Sequence, residues 1–434
     1  MRDIKVDIIN ILREEVKPAV GCTEPVAVAL ACAKAREILN EEIVTNRILV
    51  SPNIYKNGMC VGIPGTDRLG LKISAAMGFI GGHSNNGLSV LESLSSEEVS
   101  KSEEYMDNFA MNIIPLDTEK KVYIEVLLEG KTNKSKVIID VKHDNFVYAQ
   151  LNDEILINNL VVDGNKSEEN TKINILDDAT IEELVKNIEQ IDYKELEFLL
   201  EGIEMNSKMA ECGLNQKTGI GVGYGIKKSM ESGILGDDVL NQAMMITAAA
   251  SDARMAGVKL PVMSSNGSGN HGLTAILPLV AYNNKFPQSD EKLAKALAIS
   301  HMITAYVKNF TGRLSAVCGC GVAASTGATA AISWMMDGDI RKIEGSIENM
   351  VANLSGMICD GAKAGCALKL ASASSAAIQS ALIASQDCFV PPLNGIVGTK
   401  AEDSIKNLGK VSNLGMRITD EVIIDVMNDM NKTK

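Results

Sequence analysis

The chain predicts an α+β fold, with a smaller α+β domain beside a larger all-helical one. Three observations carry that expectation. Strand-like β-branched runs are confined to residues 42–158. Helical periodicity fills most of the chain from about residue 178 onward. Between the two lies a polar, unpatterned stretch, 159–176, which reads as a linker or exposed loop. A length of 434 residues also exceeds what one hydrophobic core usually serves, so two domains are expected.

Residues 3–16 place Ile4, Val6, Ile9, Ile11 and Leu12 among charges, the pattern of an amphipathic helix. Pro18 and Gly21-Cys22 interrupt it. A second helix starts near Glu24-Pro25, since proline is tolerated in a first turn, and runs to about Leu39. Ile48-Leu49-Val50, Val122-Tyr123-Ile124-Glu125-Val126 and Lys136-Val137-Ile138-Ile139-Asp140 read as strands. The helical candidates among them are 70–78 and 95–110. Beyond Asp178-Ala179-Thr180 the clearest helices are 291–308, 340–354 and 367–384. The expected organisation is therefore 1–40, N-terminal helices packing on the catalytic part; 41–170, the α+β domain; and 171–434, the all-helical catalytic domain.

Aromatic residues are scarce at 4% while Ala, Gly, Ser and Met abound, which suggests helices meeting through small side chains. A net charge of −13 argues against a nucleic-acid partner, which needs a basic face. The mixed-charge N-terminus lacks the apolar core of a signal peptide, and the best apolar run, 273–282, is too short to span a bilayer. Nine cysteines without a disulfide-scaffold spacing fit a reducing compartment, so a cytoplasmic protein with no membrane partner is expected. The residues do not set the oligomeric state; a homodimer is one option.

Four of the nine cysteines, Cys318, Cys320, Cys359 and Cys366, fall within 49 residues. Thiolates suit zinc or iron–sulfur clusters. Cys359 and Cys366 are seven apart, wider than the short hooks of structural zinc. In a continuous helix they would stand roughly 10 Å apart along the axis. Gly361 and Gly365 offer the break that would bring both thiols to one place. The competing reading is buried thiols acting as small hydrophobes; cluster ligation is favoured.

Cys22, in Gly21-Cys22-Thr23-Glu24-Pro25, precedes a helix start, where the helix dipole lowers a thiol pKa. A thiolate there serves as base, nucleophile or ligand; a buried thiol beside a turn fits the pentapeptide equally well. Glu24 complements the helix dipole in either case. Ser264-Ser265-Asn266-Gly267-Ser268-Gly269-Asn270-His271-Gly272 precedes an apolar stretch and presents N–H groups and hydroxyls to an anion. It lacks the ending of a P-loop, so a carboxylate is the better guest, with Ser265, Asn266 and Asn270 as candidates. Asn53 and Lys56, in Asn53-Ile54-Tyr55-Lys56-Asn57-Gly58-Met59, are similar candidates in the α+β region. Gly219-x-Gly221-x-Gly223 lacks the strand and downstream acid of a dinucleotide fingerprint. No lysine stands in a context that singles out a pyridoxal phosphate Schiff base.

Gly21-Cys22-Thr23-Glu24-Pro25, Asn53-Ile54-Tyr55-Lys56-Asn57-Gly58, Gly62-Ile63-Pro64-Gly65-Thr66, Cys318-Gly319-Cys320 and 358–366 together resemble the L-cysteine desulfidase family. That family is related to the alpha chain of the iron–sulfur L-serine dehydratases. The similarity runs from about residue 17 to about residue 415. It implies a [4Fe-4S] cluster held by three cysteines with one open iron, and no pyridoxal phosphate. On this resemblance Cys359 and Cys366 are ligands, and the third is Cys318 or Cys320, with the dehydratase pattern favouring Cys318. Cys22 matches the family's proposed proton-abstracting base. The longer cysteine-containing tail of the dehydratases is missing. The activity implied is α,β-elimination of L-cysteine, with a small amino acid as the partner. A serine dehydratase is the near alternative, and a non-catalytic iron–sulfur sensor the distant one.

Overall fold

The computed structural model describes residues 3–160, 175–312 and 314–432; most of the expected linker lies outside them. It shows an α+β molecule whose helical part is the larger. The strands are β1 (Pro18–Ala19), β2 (Thr45–Val50), β3 (Ile113–Pro115), β4 (Tyr123–Glu129), β5 (Lys134–Asp140), β6 (Phe146–Leu151), β7 (Glu154–Asn158) and β8 (Val262–Met263). Six of them form one sheet in the order β3-β2-β4-β5-β6-β7. β2 and β3 run parallel and every other neighbouring pair is antiparallel.

Alternation explains the sheet. Ile124, Val126 and Leu128 of β4 point to a buried face, in register with Val50, Ile48 and Asn46 of β2 and Ile139, Val137 and Ser135 of β5. The Thr23–Leu39 helix covers that face, and the Leu71–Ile80 helix packs on it in turn. Residues 24–33 of the first are therefore buried all round, as a helix gripped on both sides must be. Its C-terminal end is pinned where Ser135 Oγ donates to the Ala35 carbonyl at 2.8 Å. A Cβ on Gly78 would overlap the Ala29 carbonyl oxygen, so glycine sets how closely the two helices cross.

The expected helices at 70–78 and 95–110 are Leu71–Ile80 and Ser96–Asn108, the latter opened by a capping box between Ser95 and Glu98. The polar segment around Asn53 is a helix of about two turns, Pro52–Gly58, entered through proline in its first turn. β3, β6 and β7 were not anticipated. β3 has three residues and β7 is mostly exposed, so neither hydrophobic run nor alternation marks those two, whereas β6 does alternate, burying Val147 and Ala149.

In the helical part, Val239–Met255 packs against Glu201–Asn215, Gly269–Lys285 and Cys366–Ser385, while Asp290–Thr311 pairs with Ala324–Met335. Contacts run through small residues, as the composition suggested. Gly213 abuts the Ala249 carbonyl and Gly327 the Ser300 carbonyl. The Gly219–Gly223 run is filled from within, because Asp252 accepts from the Gly221 and Gly223 N–H groups at 3.2 and 3.0 Å. Among the described residues one helix, Cys366–Ser385, is long and apolar enough to cross a membrane. Most of it is buried inside the bundle, the position of a core helix.

The two parts are stitched together around one seam. β1 pairs with β8, and Lys17 and Glu15 carbonyls accept from the Ser264 and Asn266 N–H groups at 2.8 and 3.0 Å. The Ile4–Glu15 helix packs on the helical part, whereas Thr23–Leu39 belongs to the sheet layer. Gly62 N–H donates to the Met255 carbonyl at 2.9 Å. Cys60 forms a bridge with Lys363, and Gly361, at φ +92°, lies against the Lys56 carbonyl too closely for a side chain.

Candidate functional site

That seam encloses a cavity of about 110 Å³. Cys22, Glu24, Asn53, Lys56 and Asn57 line it from the α+β side; Arg254, Asn266, Asn270 and the four clustered cysteines line it from the helical side.

The cysteine wall is built by an antiparallel bridge between Val317 and Ile358. Cys318 N–H donates to the Met357 carbonyl at 2.8 Å and Cys359 N–H to the Ala316 carbonyl at 2.7 Å. The bridge sets the two segments side by side although they are 41 residues apart in the chain. The positive φ of Gly361 then turns the backbone so that Cys366, first residue of the Cys366–Ser385 helix, faces the same space. Cys318 and Cys320 Sγ atoms lie 3.4 Å apart. A hydrogen bond from Cys320 holds the Cys318 thiol below the usual range against its burial, with the Gly321 N–H and the charges of Lys369 and Lys308 adding to that effect. The same bond, then burial, pushes Cys320 up. Burial and the Cys318 charge raise Cys359, while Lys56 opposes them. Burial pushes Cys366 up to about 11.

Cys22 caps the Thr23–Leu39 helix, as its position in the sequence predicted, but its thiol is not lowered. Burial raises it, and Glu24 adds to the rise, while Arg254 opposes through charge and a hydrogen bond. Loss of water decides the sign against the lowering expected at a helix start, since the residue is 5% exposed.

The glycine-rich run folds as a two-residue hairpin. Ser265 and Ser268 exchange N–H···O bonds at 3.1 Å, and Asn266 and Gly267 have φ of +49° and +77°. An Asn-Gly pair suits that left-handed turn, and its tip enters the cavity. Asn270 follows in the first turn of Gly269–Lys285 and accepts from Arg254 Nη1 at 3.0 Å. Ser265, however, points the other way. Its Oγ meets His301 Nδ1 at 2.9 Å and accepts from Asn266 Nδ2 at 3.0 Å, so it holds the turn and does not reach the cavity. Burial drives His301 down to about 3, so the ring is neutral and the contact costs no buried charge. Lys56 lines the cavity, yet its ammonium is engaged by Asp420 of the Thr419–Lys432 helix at 2.5 Å.

Arg254 was missed by sequence reasoning. It is one arginine in the alanine-rich helix Val239–Met255, and no motif marks it. The one available signal was a charged pair, Asp252 and Arg254, on a stretch of small residues, 247–255. His143, Lys308 and Lys369 also reach the cavity and were not anticipated.

Comparison with known proteins adds the decisive observation. A family model described as serine dehydratase alpha chain matches residues 85–425. The chain belongs to the serine dehydratase alpha chain family. It is also 70% identical over 426 residues to a UPF0597 protein of Clostridioides difficile, covering 98% of this chain and all of that one. UPF0597 proteins of Alkaliphilus metalliredigens and Alkaliphilus oremlandii are each 52% identical, over 98% and 99% of this chain and 96% and 99% of theirs. Membership in the dehydratase family makes the chain one of a family of lyase-type enzymes and implies an iron–sulfur cluster.

The cavity suits such a cluster. Among the described residues no set of side chains converges on a single metal ion. A multi-iron cluster asks for something else, namely several separate thiols on one wall, and the four cysteines supply it. Lys56, Lys308 and Lys369 line the same cavity, and their charge offsets that of thiolates held away from water.

Proposed function

We propose that the chain is an L-cysteine desulfidase, which eliminates sulfide from L-cysteine and leaves pyruvate and ammonia. The observation that carries this reading is that Cys22 faces, across one small cavity, the cysteine wall suited to an iron–sulfur cluster. Cys318, Cys359 and Cys366 would hold a [4Fe-4S] cluster, Cys318 being favoured over Cys320 because its backbone is bonded directly to the Cys359 segment. The cluster supplies a thiophilic Lewis acid for the departing sulfur. Pyridoxal phosphate has no part in the reaction.

Cys22 as thiolate takes the Cα proton of bound L-cysteine. The electron pair of that C–H bond forms the Cα–Cβ double bond as the Cβ–S bond breaks, and sulfur leaves with the bonding pair. Free aminoacrylate then takes up water to give pyruvate and ammonia. The raised proton affinity of Cys22 suits this task, because a Cα proton is weakly acidic and a weak base would not accept it. The buried cavity keeps bulk water from competing for the thiolate. The Asn266–Gly267 turn and Asn270 stand on the facing wall and position the substrate.

Family membership favours a second reading, L-serine dehydration on the same residues. Protein purified without oxygen, with iron and acid-labile sulfide assayed, separates the two when sulfide and pyruvate release are compared on L-cysteine and L-serine. Faster turnover of serine would overturn the desulfidase reading. A full cluster with turnover of neither would overturn both.

A further inference from the structure

Arg254 is the least explained charge in the molecule. Its residue is 6% exposed, deep in the Val239–Met255 helix, and it forms no ion pair among the described residues. Nη1 donates to Asn270 Oδ1 at 3.0 Å and Nη2 to the Gly21 carbonyl at 2.7 Å, while Nε is buried with no partner. A guanidinium carries five N–H donors, so these two bonds and its hydrogen bond with the Cys22 thiol orient it and still leave donors to spare. Burying an unpaired cation is costly, and a fold retains one where an anion completes it. The nearby Asp252 does not supply that anion, since its oxygens are engaged by the Gly221 and Gly223 N–H groups.

Glu24 also stands near Cys22, 9% exposed and lining the same cavity. Its Oε1 accepts from Asn57 Nδ2 at 2.9 Å, which fixes the carboxylate. The cavity therefore places one fixed cation and one fixed anion beside a single thiol. We infer that Arg254 and Glu24 form a zwitterion clamp for an α-amino acid, Arg254 taking the carboxylate and Glu24 the ammonium. Both groups are borne by Cα, so holding both presents Cα, with its hydrogen, to Cys22 Sγ. Specificity follows from the same geometry. A carboxylic acid without an ammonium leaves Glu24 unmatched, and an amide or ester leaves Arg254 unmatched.

The clamp deepens the proposed elimination but is tested apart from it, with ligands that have no β leaving group. Binding of L-alanine, L-alaninamide and propionate to cluster-loaded protein is measured by calorimetry under anaerobic conditions. The unaltered protein should prefer L-alanine to both of the others. In Arg254→Gln, affinity for L-alanine should fall by at least roughly 30-fold, the effect of removing one member of a buried charge pair. Its preference for alanine over alaninamide should vanish. In Glu24→Gln the alanine-over-propionate preference should collapse while the alaninamide discrimination persists. Arg254→Lys should restore part of the carboxylate preference. Iron content and the cluster's visible spectrum check that each variant is intact. Discrimination ratios unchanged in Arg254→Gln or in Glu24→Gln would overturn the clamp, as would a loss of both preferences in either variant. Alanine held through both residues by a protein that does not act on cysteine would overturn the elimination and leave the clamp standing.

Discussion

At the scale of single residues, the thiols divide by position. Cys359 and Cys366 line the cavity, whereas Cys32 is buried in the Thr23–Leu39 helix and Cys60 is exposed. Cys359→Ala and Cys366→Ala should abolish cluster assembly, and Cys32→Ala should leave iron content unchanged; iron analysis of the purified variants checks both. Cys22→Ala should keep the cluster yet lose about two to four orders of magnitude in elimination rate, the usual effect of removing a general base. The pH profile gives a separate test. Cys22 works deprotonated, and burial raises its proton affinity, with Glu24 adding and Arg254 opposing. Its active fraction therefore grows about tenfold per pH unit below the raised pKa. kcat/KM should climb throughout the neutral range and still be rising where an ordinary thiol has levelled off; a plateau near neutrality would contradict a buried Cys22 base. This residue shows where sequence reading stops. Its place ahead of a helix was legible, but the sign of its pKa shift depends on burial by segments hundreds of residues away. The deciding partners of Lys56 and Ser265, Asp420 and His301, lie 364 and 36 residues away, so the sequence could not show that the Lys56 ammonium is paired or that Ser265 holds a turn.

Secondary elements were legible where they were long and periodic. Ile4–Glu15, Thr23–Leu39, Asp290–Thr311, Ile340–Leu354 and Cys366–Ser385 all lie where periodicity placed them. Pro52–Gly58 did not show, because its apolar positions are too few to set a period and its Asn and Gly residues signal a turn. Small residues at helix crossings carry their own prediction. Gly→Ala on an exposed helix face stabilises by about 1 kcal/mol. Gly78→Ala should do the opposite, because the new Cβ would meet the Ala29 carbonyl on the neighbouring helix. A loss of about 1–3 kcal/mol is expected from such overpacking, read by denaturant unfolding. Increased stability in that variant would mean that the two helices part more readily than their packing indicates.

For the whole molecule, the cavity exists because distant parts of the chain meet. The Thr419–Lys432 helix packs on the Pro52–Gly58 helix and supplies Asp420, which pairs with Lys56, whose side chain is 1% exposed. Asp420→Ala strands that ammonium and should cost about 3 kcal/mol, near the lower end for breaking a buried ion pair. Thermal unfolding of the intact protein reads this directly. Lys56→Met in the same background should recover much of the loss, since no charge then remains to be matched.

The pairing of β1 with β8 has a kinetic corollary. The amide hydrogens of Ser264 and Asn266 are held by carbonyls of Lys17 and Glu15, on the stretch of chain that leads into Cys22. The two walls of the cavity are therefore joined by backbone bonds as well as by side chains. They cannot open separately, so fraying of the first helix would release the Asn266 amide to solvent. In a hydrogen–deuterium exchange experiment these segments should lose protection together, at one rate, as a single cooperative unit.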